Sequence, residues 1–211
     1  MNVEFSSREL GDLGVAWVAL GVAFTFFILS SVSRSFSPFT LLESAGTGVL
    51  ARVFLVSMLT VGVAFLLHEL AHKVVAIRFG QVAEFRADYT MLALAVGAGL
   101  AGFLFAAPGA VYHRGRITDR EQGLVALAGP VTNLLLIPVF APLYLFAGGF
   151  LGEVGQLGIT INAALAAFNM LPFGPLDGRT VRAWSTAVFA AAFVLSAAAA
   201  AVAVLFVRFP Y

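Results

Sequence analysis

Five stretches of this chain are apolar for long enough to cross a lipid bilayer, and nothing else in the sequence restricts the fold as much. They cover about residues 14–33, 50–79, 121–148, 155–173 and 181–207, and a hydrocarbon core ~30 Å thick needs roughly 20 residues of helix. No water reaches the backbone there, so each segment must satisfy its own polar groups as a helix. Composition agrees. Of 211 residues, 61% are hydrophobic and only 11% charged, where soluble domains carry roughly a quarter charged residues. The reading is an all-α polytopic membrane protein, with residues 1–211 as a single domain. The opening "MNVEFSSRELGDLG" is polar and mixed in charge. A cleavable leader starts basic and turns apolar at once, so the first apolar segment is expected to stay as a helix. A net charge of +1 offers nucleic acid no electrostatic footing. The absence of cysteine excludes disulfides and thiolate metal sites and leaves the redox compartment open.

One span carries residues that lipid should reject. In "VGVAFLLHELAHKVVAIRFG", Val61 to Gly80, the apolar run is interrupted by His68, Glu69 and His72. Ionisable groups inside a bilayer are costly and read as functional. Four residues apart on a helix, the two histidines share one face, one turn apart. Two imidazoles can then reach one metal ion, while Glu69 is displaced around the helix toward water activated by that metal. This is the HExxH pattern of zinc hydrolases, with histidine ligands and a carboxylate as general base. The pattern alone is short and arises by accident, but two of the three histidines of the chain fall in it.

A catalytic zinc site normally has a third protein ligand. His113, in "YHRGRITDR", reads as a solvated loop histidine. Glu4, Glu9, Asp12, Glu43, Glu84, Asp88, Asp119, Glu121 and Glu153 fall in termini or between spans. The remaining acid is Asp177, in "FNMLPFGPLDGRT", where Pro172, Gly174 and Pro175 break a helix. Taken alone, that stretch reads as a turn, with Asp177 as N-cap of the last helix.

Together, "HELAH" at 68–72 and "NMLPFGPLDGR" at 169–179 resemble the two signature motifs of site-2 proteases, the intramembrane zinc metalloproteases, and "LAGPVTN" at 127–133 resembles a further element of that family. The resemblance covers about residues 50–182, leaving helices 14–33 and 181–207 as peripheral. It implies one Zn²⁺ per chain held by His68, His72 and Asp177, with Glu69 as the catalytic base. It also implies a contact of Asn169, and more weakly of Asn133, with substrate or oxyanion. Gly129, Pro130 and Asn133 also have plainer readings as helix kink, close packing and interhelical hydrogen bond. The chain departs from the family in an additional apolar stretch that starts near Thr90, and it has no loop long enough for a PDZ-like or nucleotide-binding appendage. The distal part of the stretch, "FAAPGAVY", matches the family's re-entrant β-loop. Phe105, Ala106, Ala107, Pro108, Gly109 and Ala110 would then offer an edge to an extended substrate.

The stretch from Thr90 to Tyr112 is long enough to span, yet it holds Gly97, Gly99, Gly102, Pro108 and Gly109, which weaken a helix. If it enters and returns on one side, Arg8, Lys73, Arg78, Arg86, Arg114, Arg116, Arg120, Arg179 and Arg182 share a side, against Arg34, Arg52 and Arg208. Such a bias marks the cytoplasmic face, and a full span would erase it. A full span would also put Asp177 opposite His68. The expectation is five spans and a re-entrant element, with short β-strands admitted in it; a sixth span is the alternative. The N-terminus and the site would face the cytoplasm. The expected reaction is hydrolysis of a peptide bond in a transmembrane protein substrate. A non-catalytic membrane metal carrier or transporter using the same residues is the rival, and an inactive homologue is a third reading. Two imidazoles and a carboxylate would also suit iron, cobalt or nickel. Substrate identity and oligomeric state are not legible.

Overall fold

The computed structural model describes residues 3–33, 38–103 and 108–207. Its first helix, α1 (Ser7–Ser33), begins where the Ser6 hydroxyl accepts the Glu9 amide. Helix α2 (Pro38–Ser57) bends at Gly46, where φ is 68°. It runs through a π-helical turn, Met58–Gly62, into α3 (Val63–Arg78), which carries the histidine pair. A π turn withdraws carbonyls from the regular ladder, and the Trp17 indole of α1 donates to Met58 O at 2.9 Å. The indole lies so close that a side chain at Gly62 would collide with it.

After α3 the chain makes strand β1 (Val82–Ala87), helix α4 (Tyr89–Leu100) and strand β2 (Gly109–Arg114). The strands pair antiparallel, with Val82 opposite Arg114 and Ala87 opposite Gly109. The chain therefore leaves the sheet at Ala87 and rejoins it at Gly109, at one level. The 12 residues of α4 reach only about 18 Å, short of a bilayer core. This is the expected re-entrant element. Irregular backbone at such depth must be covered by protein, and α1 covers it. The backbone of Gly99 presses on Ala23 O, and Ser30 Oγ donates to Leu100 O.

Three long elements complete the bundle. Helix α5 (Asp119–Phe146) opens with a Thr118–Glu121 capping box, and α6 (Gly149–Asn169) packs antiparallel on it. Gly155 and Gly158 let α6 approach the α5 backbone at Tyr144 and the ring of Phe140, the small-residue contact that lipid-embedded helices use. The expected last span, 181–207, is two helices, α7 (Asp177–Trp184) and α8 (Thr186–Val202), followed by a π turn, Ala203–Val207. They part at Ser185, which is extended and whose hydroxyl caps the Val188 amide. Among the described residues, five helical stretches are long and apolar enough to cross a membrane: Ser7–Ser31, Gly46–Arg78, Asp119–Phe146, Gly149–Asn169 and Thr186–Val207. The chain is an integral membrane protein of helices, with a single two-stranded sheet in the described part.

Two sequence expectations change at the N-terminus. Helix α1 starts seven residues before the expected span, so Glu9 and Asp12 lie inside it, buried at 1% and 3% exposure. Lys73, counted among the charges of one membrane face, is fully buried and ion-paired to Glu9. The other Glu9 oxygen accepts the Phe85 amide, and Asp12 accepts Ala87 N and the Tyr89 hydroxyl. These carboxylates close the outer edge of β1. The helix expected at the periphery thus holds the strand and the re-entrant helix in place.

Candidate metal centre

The site grows out of α3. His68 and His72 sit one turn apart, ring centroids 4.7 Å from each other, both buried. Each ring spends its Nδ1 on an acceptor. His72 Nδ1 lies 2.7 Å from the carbonyl of Val125, which can only accept, so this nitrogen carries the proton. His68 Nδ1 lies 2.6 Å from Asn133 Oδ1. The orientation of that amide follows from its other end, where Nδ2 donates to Ala64 O at 3.2 Å and to Asn162 Oδ1 at 2.9 Å. Both Nε2 atoms are thereby left with a lone pair.

The lone pairs converge on Asp177. The sequence between Asn169 and Asp177 ends α6, with Gly174 at a φ of 62°. It returns so tightly that Gly178 rests on the carbonyls of Met170 and Leu171, where a Cβ would lie 2.2 Å from the first. That return delivers Asp177, the first residue of α7, to the histidines; Leu176 is its N-cap and Ser185 caps the last helix, so Asp177 caps neither. Asp177 Oδ2 is 3.3 Å from His68 Nε2 and 3.4 Å from His72 Nε2.

Three electron-rich atoms facing one another repel unless a cation lies among them. Asp177 Oδ2 is buried without a hydrogen-bond partner. A zinc ion with bonds of 2.0–2.2 Å in a tetrahedral array separates its ligand atoms by about 3.3 Å, and Asp177 Oδ2 stands at that spacing from each histidine. The backbone opposite is also shaped for an ion. A Cβ on Gly129 of α5 would fall 2.5 Å from Nε2 of both His68 and His72, so only glycine leaves that space open. The donor set fits zinc, and among the described residues it is the one cluster of this kind.

Glu69 is next to this cluster but outside it. Buried at 8% exposure, its Oε2 accepts the Val111 amide of β2 at 3.2 Å. Since Phe85 N points away to Glu9 and Val111 N points to Glu69, the Phe85–Val111 couple is a non-hydrogen-bonded pair of the ladder. Gly109, Val111 and His113 therefore turn their backbone groups to the outer edge, and Ala110 turns its own to Arg86. The strand begins later than the stretch 105–110. Phe105, Ala106 and Ala107 lie outside the described residues, and Pro108 O accepts the Asp88 amide. Gly109 is required here, because a Cβ would collide with Arg86 O at 2.3 Å. His113, expected as a solvated loop residue, is half-buried within β2 and stands apart from the cluster. Asn133 is fully buried behind His68 and bonded there. Asn169 ends α6, half-buried, its amide donating to Leu165 O.

No family profile matches the chain. No solved structure does either. Curated proteins do. "Putative zinc metalloprotease MJ0611" of Methanocaldococcus jannaschii is 40% identical over 190 residues, which cover 88% of this chain and 89% of the relative. The chain belongs to the site-2 protease family. Two further relatives of this site-2 protease carry the same kind of name. "Putative zinc metalloprotease YwhC" of Bacillus subtilis is 34% identical over 57% of this chain and 64% of its own length. "Putative zinc metalloprotease Rip3" of Mycobacterium tuberculosis is 34% identical over 57% of this chain, and the match spans only 28% of the longer relative.

Sequence reasoning missed the Val125 carbonyl, the Val111 amide and the reason for Gly129. Backbone donors and acceptors carry no residue-type signal. Gly129 was visible in "LAGPVTN", but its purpose depends on two rings of another helix.

Proposed function

We propose that this site-2 protease is a zinc endopeptidase that hydrolyses a peptide bond within or near a transmembrane segment of a membrane-protein substrate. The observation that carries the reading is a three-donor metal centre with a carboxylate, Glu69, held beside it but outside the donor set. His68, His72 and Asp177 hold one zinc ion per chain. Zinc held there supplies Lewis acidity, which polarises a carbonyl and lowers the pKa of water. Glu69 takes the proton of the attacking water and delivers it to the departing amine as the C–N bond breaks. A helical substrate must first unwind, because its carbonyls are tied up in backbone hydrogen bonds. The outer edge of β2 then pairs the unwound stretch, with Gly109, His113 and the carbonyl of Val111 offering backbone groups, the Val111 amide being held by Glu69. Asn169 contacts substrate or oxyanion, whereas Asn133 acts from behind His68, to which its side chain is bonded. The N-terminus and the site face the cytoplasm, as the distribution of Lys and Arg along the chain indicates.

A metal carrier built from the same ligands has no need of a carboxylate fixed next to them. The test is Glu69→Gln in the purified chain, reconstituted with a membrane substrate. The variant should keep its zinc and lose cleavage. Cleavage at the wild-type rate would remove Glu69 as the base.

A further inference from the structure

The metal helix α3 is tied to α6 by a chain of amides that ends far from any ligand. Asn162 lies in the middle of α6 and is fully buried. Its Nδ2 donates back to Gly158 O at 2.8 Å, and its Oδ1 accepts from Asn133 Nδ2 at 2.9 Å. Asn133, on α5, in turn accepts from His68 Nδ1. Every polar atom in this run faces a partner of the opposite kind, and its direction is set by backbone carbonyls, which cannot donate. Reversing the Asn162 amide would put its NH₂ against the NH₂ of Asn133 and its oxygen against Gly158 O. Reversing Asn133 would confront His68 Nδ1–H with an NH₂ group, which would move the imidazole proton to Nε2, the ligand atom.

We infer that Asn162 is a positioning residue for the metal centre: it orients the Asn133 amide, and through it keeps His68 in the tautomer and ring angle that ligation needs. The inference rests on the zinc reading of the site. Asn133 has one other anchor, Ala64 O at 3.2 Å, but Ala64 belongs to the same helix as His68. That bond holds Asn133 to α3 alone. Asn162 adds the shorter bond and brings it from α6, so the amide plane is fixed between two helices. A polar side chain at 0% exposure among apolar neighbours persists only when partnered, and partners that orient a ligating histidine typically change metal affinity 10–100-fold when removed.

The test uses the full chain in detergent, as wild type, Asn162→Ser and Asn162→Asp. Serine satisfies its hydroxyl by bonding back to Gly158 O, as helical serines do, but is too short to reach Asn133. Aspartic acid keeps the shape and an acceptor toward Asn133, and in its protonated form it donates to Gly158 O. Zinc affinity is read by competition with a chromophoric chelator, and ligand geometry by the visible absorption of the cobalt-substituted proteins. Thermal midpoints of the metal-free proteins serve as the folding control. Asn162→Ser should bind zinc at least 10-fold more weakly and shift the cobalt bands, while Asn162→Asp stays within a few-fold of wild type with unshifted bands. Wild-type affinity and bands in Asn162→Ser would overturn the inference, as would equal losses in both variants, which mean packing rather than orientation. Should Asn162→Ser fail to fold, a large loss in a folded Asn162→Asp overturns it and wild-type binding there sustains it. Absence of zinc binding in the wild type would instead overturn the reading of the site.

Discussion

Gly129 gives the sharpest test of the metal centre, because it has no side chain to serve as ligand, acid or base. In Gly129→Ala the new methyl carbon would stand 2.5 Å from His68 Nε2, His68 Cε1 and His72 Nε2. Ordinary contact between such atoms begins near 3.5 Å, so rings and helix must part by about 1 Å. A metal site tolerates errors of only about 0.2 Å in ligand distance. Moreover, the methyl approaches both rings on the atoms that ligate, so the retreat cannot be absorbed away from the site. Zinc affinity should therefore fall by about 100-fold or more, close to 2.7 kcal/mol, and cleavage should disappear with it. The assay is zinc content by plasma mass spectrometry after dialysis against a graded chelator. Gly97→Ala is the control, since nothing lies within 4 Å of a Cβ there, and it should retain its zinc. If Gly129→Ala held zinc as tightly as wild type, the space opposite the histidines would not be the ion's, and the reasoning from that space would fall.

The remaining predictions concern the third ligand, the N-terminal clamp and topology. Asp177→Ala should lose most of the zinc found at one per chain in wild type; equal metal in both would return Asp177 to an ordinary turn residue. Lys73→Ala strands Glu9 without its cation in a buried site, and such losses cost about 3–5 kcal/mol. Unfolding in detergent should show this, and Glu9→Gln combined with Lys73→Met should recover much of it. By contrast, Arg52→Ala breaks a half-exposed bond to Glu153 and should cost under about 1 kcal/mol. A cysteine replacing Arg116 should be labelled by an impermeant reagent from the cytoplasmic side only; labelling from outside would invert the proposed orientation.

The His68–Glu69–His72 spacing was legible without a structure, because helix periodicity and the cost of charge in lipid are both local facts. The five spans were legible for the same reason, since length and apolarity are properties of a segment. Asp177 was legible only through the resemblance of its motif. In isolation, "PFGPLDG" is as good a turn as any, and what singles it out is the return that lays Gly178 on Met170 O. The N-terminal carboxylates were misread because α1 begins at Ser7 rather than near residue 14. Polarity suggested a terminus there, but Glu9 and Asp12 are polar because β1 and Lys73 need partners. Asn162 could have been noticed by the argument applied to the histidines, a polar residue inside an apolar span. Its partner, 29 residues away on another helix, could not.

By itself, then, the sequence determined what must lie in lipid and which helix face carries two imidazoles, with a carboxylate displaced to one side. The tertiary structure decided the rest: which acid meets the two histidines, which nitrogen of each ring is free, which strand edge faces outward and why glycine faces the imidazoles. The division has a physical cause. Hydropathy and helical period are set by neighbours within a few residues. Ligand convergence, tautomer and edge accessibility depend on groups that meet only after α3, α5, α6 and α7 have packed.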